Sequence, residues 1–147
     1  MTPTRLVLFA AATALLSPIV CAQNPGNCSL DTIKGDYGFV STIRLVPPAD
    51  SQVKTVQRSR FIGLISYDGA GKVTTGGVSV APGGKTSPFS TEGTYTVDGP
   101  HCTGSVTFKK EEQTTSKWDF VIVSGGSELL TVIQSAADTA PFSQKKR

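Results

Sequence analysis

Charge and reactive side chains are scarce in this chain of 147 residues. It holds one histidine, one tryptophan, one methionine and three cysteines, and charged residues make up only 17% of it. A single histidine, His101, rules out a His-Glu-x-x-His metal helix, and neither a Gly-x-Ser-x-Gly elbow nor a phosphate-cradling glycine loop is present. The formal net charge is +3, too small for the electrostatic footprint of a nucleic-acid binder. No stretch sustains a helical period, which argues against a helix bundle. The one charge-free apolar run, Leu6 to Leu16, is too short to cross a bilayer as a helix, for which about 20 residues are needed.

That run has another meaning. Met1 to Arg5 form a short basic start, and Val20-Cys21-Ala22 has the small residues of a cleavage site, so residues 1–22 read as a secretory signal. The competing readings are a buried N-terminal helix and a lipid anchor on Cys21, which would ask for a small residue where Val20 stands. Cleavage after Ala22 leaves residues 23–147, the size of one domain, in a secreted or periplasmic location. It also removes Arg5 and leaves thirteen basic residues against eleven acidic ones. Lys145, Lys146 and Arg147 supply that excess as a solvated end. The loss of Cys21 leaves Cys28 and Cys102, which in an oxidising compartment are expected to form one structural disulfide. A zinc or redox pair would show close cysteine spacing and further ligands.

The rest of the chain alternates with period two, the mark of half-buried strands. Tyr37, Phe39, Ser41 and Ile43 share one face of a first strand opening at Gly35, and Phe61, Gly63, Ile65 and Tyr67 one face of a second. Val73 begins a glycine-rich third strand running to about Val80. In the fourth, Phe89, Thr91, Gly93, Tyr95 and Val97 alternate against Ser90, Glu92, Thr94 and Thr96. Val106 and Phe108 define a fifth strand, Trp118, Phe120 and Ile122 a sixth, Leu129 to Ile133 a seventh, and Thr139 to Gln144 an eighth. Pro47 to Asp50, Ala81 to Gly84, Asp98 to Pro100, Ser124 to Ser127 and the charged segment from Lys109 to Lys117 carry turn chemistry between them. Short links make consecutive strands antiparallel, and about eight of them suit an up-and-down barrel, which leaves no open edge. A two-sheet sandwich is the alternative. Asp68-Gly69-Ala70-Gly71 joins the second and third strands and reads as a hairpin turn, because a calcium loop needs several oxygen ligands and Asp68 is the one carboxylate near it in sequence.

Two local patterns place a glycine two residues before an inward aromatic: Gly35-Asp36-Tyr37 and Gly93-Thr94-Tyr95. The first resembles the Gly-x-Trp signature at the start of lipocalins, with Tyr37 standing where that family has Trp. The ordered set Cys28, Gly35 to Phe39, Tyr67 to Gly71, Gly93 to Val97 and Cys102 to Gly104 resembles a largely uncharacterised group of small exported bacterial proteins. That resemblance implies a lipocalin-like (calycin) or allene-oxide-cyclase-like β-barrel and export, and it carries no established activity.

For function, the residues favour binding over catalysis, and no catalytic set, metal site or cofactor is expected. His101 sits in a turn between Pro100 and Cys102, where a solvated role is the plain one. Glu111 and Glu112 are neighbours in a charged loop and form no obvious acid–base dyad. Arg58 and Arg60 share a strand face and are either simply exposed or hold an anion. Tyr37, Phe39, Phe61, Phe89, Tyr95, Phe108, Trp118 and Phe120 would line a barrel interior able to take a small apolar or amphipathic ligand, or would simply fill its core. A surface or envelope protein working through protein contacts, and a barrel isomerase or cyclase, are the alternatives. Neither nucleic acid nor a transmembrane segment is expected. The exported protein should begin at Gln23, which N-terminal sequencing and intact mass will show; a chain exported with Met1 retained would overturn the signal assignment.

Overall fold

A computed structural model of the chain describes residues 27–45, 57–109, 115–134, 138–139 and 141–147. The expected signal segment, the Pro47 to Asp50 turn and Glu111 and Glu112 lie outside these residues. A 3-10 turn over Leu30–Ile33 precedes β1 (Gly35–Leu45), β2 (Gln57–Tyr67), β3 (Lys72–Val80), β4 (Thr86–Asp98), β5 (Thr103–Lys109) and β6 (Thr115–Val123). A second 3-10 turn, Ser124–Gly126, leads to β7 (Glu128–Gln134), β8 (Asp138–Thr139) and β9 (Phe142–Lys146). Every pairing is antiparallel, and the order β2-β3-β4-β5-β6-β7-β9-β1 closes on itself where β1 pairs β2. The fold is therefore the expected closed, antiparallel, eight-position barrel.

The eighth position is filled by two pieces instead of one strand. β8 pairs β1 at Ile43 and Arg44, and β9 pairs it at Tyr37 to Phe39. Pro141 stands between the two. Without an N–H it cannot donate to a ladder, so pairing breaks there.

Strand parity sorts the side chains as the alternation requires. Tyr37, Phe39, Ile65, Tyr67, Val73, Tyr95, Val106, Phe108, Phe120 and Leu129 are all buried. Outward positions of β4 and β5 carry Ser90, Glu92, Thr94, Ser105 and Thr107. An apolar interior is the reverse of a membrane-spanning barrel, whose inside is polar. Where a ring crosses a neighbouring strand, glycine makes room: a Cβ on Gly93 would lie 2.9 Å from the Phe108 ring and 2.3 Å from the Thr107 carbonyl.

One end of the barrel is plugged. Cys28 and Cys102 are bonded, with Cα atoms 5.2 Å apart and a sequence separation of 74. The bridge holds the Leu30–Ile33 turn over the barrel end, where Ile33 is fully buried. The Ser29 backbone N–H donates to Thr32 Oγ1 at 2.9 Å, fixing the start of that turn. A crosslink over so long a loop restricts the unfolded chain strongly, so removing it by Cys28→Ala with Cys102→Ala should cost about 2–5 kcal/mol. Urea unfolding of the double variant should show a lower midpoint. Equal midpoints would mean that the turn is held without the bridge.

Candidate functional site

All eight aromatics named from the sequence fall on the interior parity, and they group into three sets along the barrel. Phe39, Phe108 and Trp118 meet edge to face, with Phe142 completing the group: the Trp118 ring lies 4.8 Å from Phe108, 6.1 Å from Phe39 and 5.5 Å from Phe142. Toward the plugged end, Tyr67 joins Tyr37 (5.5 Å), Tyr95 (4.9 Å) and Phe120 (6.3 Å). Phe61 and Phe89 form a separate pair at 5.8 Å and are only half-buried. Tyr67 and Phe142 are the two rings missing from the expected lining. Tyr67 shares the parity of Phe61 and Ile65, which was signal enough; Phe142 sits in the strand that Pro141 interrupts.

Polar groups inside the barrel are taken up structurally. Tyr37 Oη donates to the Gly126 carbonyl, tying the second 3-10 turn to β1. Tyr95 Oη donates to the Leu30 carbonyl at 3.2 Å and accepts from the Gly69 N–H at 2.9 Å. Tyr67 Oη donates to Gln144 Oε1 at 3.1 Å, and Gln144 Nε2 donates to Thr131 Oγ1 at 2.8 Å. Gln144 and Thr131 were not foreseen as interior residues. Both lie on the inward parity of their strands, and each satisfies the other, as buried polar groups must.

The remaining sequence candidates separate cleanly. Asp68 Oδ1 accepts from the N–H groups of Ala70 (2.7 Å) and Lys72 (2.9 Å), while Gly69 and Gly71 take positive φ of 82° and 100°. The carboxylate thus closes its own turn, and these hydrogen bonds hold its pKa below the usual carboxylate value. Among the described residues no three His, Cys, Asp or Glu side chains gather as a metal site. His101 is exposed, its Nδ1 2.7 Å from Asp98 Oδ2. Arg58 and Arg60 are exposed on the outer face of β2.

What sequence reading passed over is the outer wall. In register across strands, Val121 faces Leu130 and Leu130 faces Ser143; further round, Val40 faces Ile62, Ile62 faces Val78 and Val78 faces Pro88. Val40 is 62% exposed and Ile62 58%, and Leu130, Val121 and Val78 are exposed as well. Two shallow grooves follow this row. One, of about 550 Å³, lies over β5 to β7 beside Val121, Leu130 and Val132. The other, of about 610 Å³, lies over β1, β2 and β9 beside Gly38, Val40, Ile62 and Leu64. The signal was present in Phe61-Ile62-Gly63-Leu64-Ile65, where the outward parity is as apolar as the inward one.

No family model, curated protein or solved structure matches the chain.

Burial raises the phenol pKa of all three tyrosines, Tyr37 to about 12 with a smaller contribution from the nearby Tyr95. Because the folded pKa lies above the unfolded value near 10, the stabilisation is complete below about pH 10 and is lost as pH rises toward the folded values. Absorbance at the phenolate band should therefore stay low past pH 10 and rise together with loss of β-sheet circular dichroism. Simple titration near pH 10 with the fold intact would contradict the buried, hydrogen-bonded geometry.

Proposed function

We propose that this chain is an exported β-barrel that binds an apolar or amphipathic molecule and that its outer wall is the working surface. The carrying observation is the row of exposed apolar side chains, Val121 and Leu130 on one side and Val40, Ile62 and Val78 on the other, on a barrel whose polar interior groups are already engaged with one another. Exposed apolar side chains grouped on a surface mark interaction sites on soluble domains. The signal-like composition of residues 1–22 and the Cys28–Cys102 bridge support export to an oxidising compartment. The resemblance to small exported barrels points the same way.

A second reading places the ligand among the inward aromatics. It is favoured by Phe61 and Phe89, which pair away from the two larger ring groups and remain half-buried. The two readings differ at Trp118, the only tryptophan, which is buried inside with Nε1 donating to Ser116 Oγ at 2.9 Å. A panel of fatty acids, terpenoids and aromatic metabolites, followed by calorimetry and by tryptophan emission, tests both. Binding heat with unchanged emission is expected for the wall, and a shifted emission would move the site inside. A panel with no binding at all would overturn the proposal.

A further inference from the structure

Gly38 occupies the middle of β1 with no structural reason to be glycine. Its neighbours pair without a bulge, Tyr37 with Ile65, Gly38 with Leu64 and Phe39 with Gly63. Its φ is not in the left-handed region, and a Cβ built on it would meet nothing within 4 Å. Gly63 and Gly77 are different, since a Cβ there would lie 2.3 Å and 2.1 Å from carbonyl oxygens of the facing strand. A glycine inside a strand weakens it, and besides bulges and bends such glycines mark sites where a ligand or another backbone approaches closely.

The surroundings of Gly38 define what approaches. Its missing side chain opens a recess in the outer groove, whose volume of about 610 Å³ falls within the ~300–1,000 Å³ typical of small-molecule sites. Val40, Ile62 and Leu64 make the floor, all exposed. Beyond Ile62 on the same face of β2 stand Arg60 and then Arg58, both exposed. From Leu64 to Arg60 the strand advances about 13 Å, the reach of a medium-length alkyl chain. At the other end Lys145 and Arg147 line the groove. Their charge is offset there by Asp36, which accepts the Ser66 hydroxyl at 2.6 Å, and by Glu128, opposite Lys145 in register. The net attraction for an anion therefore lies at the arginine end.

Resting on the binding role proposed above, we infer that the β1–β2 face is a site for a free single-chain amphipathic anion. Its head group pairs with Arg60 and Arg58, and its alkyl chain lies over Val40 and Ile62 into the recess at Gly38. A second copy of the chain is a competing occupant, which the experiment below separates; a twofold contact with its axis along the strands would bring Arg58 and Arg60 toward the same arginines of the other copy. A membrane surface is the other competing occupant, since Val40 and Ile62 project from this face, and the vesicles in the experiment below separate it from a free amphiphile.

The experiment uses laurate, the neutral dodecyl maltoside, and vesicles of phosphatidylglycerol and phosphatidylcholine, each titrated into the folded protein by calorimetry. Laurate should bind one per chain. Gly38→Leu should weaken laurate at least about tenfold by filling the recess, while melting no lower than the parent because it restores a better strand former. Arg60→Ser should weaken laurate and leave the maltoside unchanged, and Ile62→Gln should weaken both, which provides a test free of any change at Gly38. Val121→Gln, on the other groove, should change neither. Laurate binding untouched by Gly38→Leu and Ile62→Gln would overturn this site and leave the broader binding role standing. Affinity for vesicles alone, or self-association broken by Gly38→Leu with no laurate binding, would overturn the inference in favour of a bilayer or of a second copy.

Discussion

Closure through β1 is the constraint on which the rest of this structure depends. The strand pairs with β2 from Gly35↔Tyr67 to Leu45↔Gln57, and on its other side with β9 and β8. Without that double pairing β2 and β9 would each present an edge of unpaired N–H and C=O groups. The same ladder fixes which residues face inward, because a slip of one residue would exchange the two faces. Tyr37 and Phe39 reach the core only in this register. So too does Val40 come to lie beside Ile62, and Gly38 beside Leu64. The core and the outer groove are consequences of one pairing.

The tyrosine hydroxyls then bind the closed wall to its plug. Buried hydroxyls without partners would cost several kilocalories per mole, so each phenol must find an acceptor. Tyr37 finds Gly126 and Tyr95 finds Leu30, which joins the barrel to both 3-10 turns; Gly69 donates to Tyr95 from the β2–β3 turn. The disulfide reaches the same end from Cys102, whose carbonyl accepts from Ile122 at 2.8 Å. Four separate segments therefore converge on one end of the barrel. The Asp68 turn belongs to this assembly, which explains a carboxylate spent on backbone N–H groups.

Much of this was legible because alternation is a geometric property of strands. Tyr37, Phe39, Ile65 and Tyr67 announce their face by spacing alone, and Cys28 and Cys102 announce a bridge once Cys21 is set aside. The break in the last strand was harder to see, since Pro141 stops pairing without erasing the alternation around it. Hardest was the outer wall. Period-two reading assigns the apolar residues to the inside, so Val40, Ile62 and Leu64 pass as reinforcement of a core strand. The meaning of Gly38 was also hidden, because sequence cannot separate it from Gly93, where a neighbouring ring and carbonyl demand the absence of a side chain.

The two faces of the wall differ in what a ligand would have to disturb. Inside, Trp118 touches three rings and Tyr67 touches three more, and the hydroxyl and amide groups beside them are hydrogen-bonded. A guest entering there must separate contacts that already stabilise the fold, worth about 0.5–1.5 kcal/mol per aromatic pair beyond area burial. Outside, Val40 and Ile62 stand in water, and covering them releases apolar surface at about 25 cal/mol per Å² with no contact broken first. The energetic asymmetry favours the wall. Inside, the rings and polar groups already hold one another, whereas the exterior carries an apolar row open to solvent.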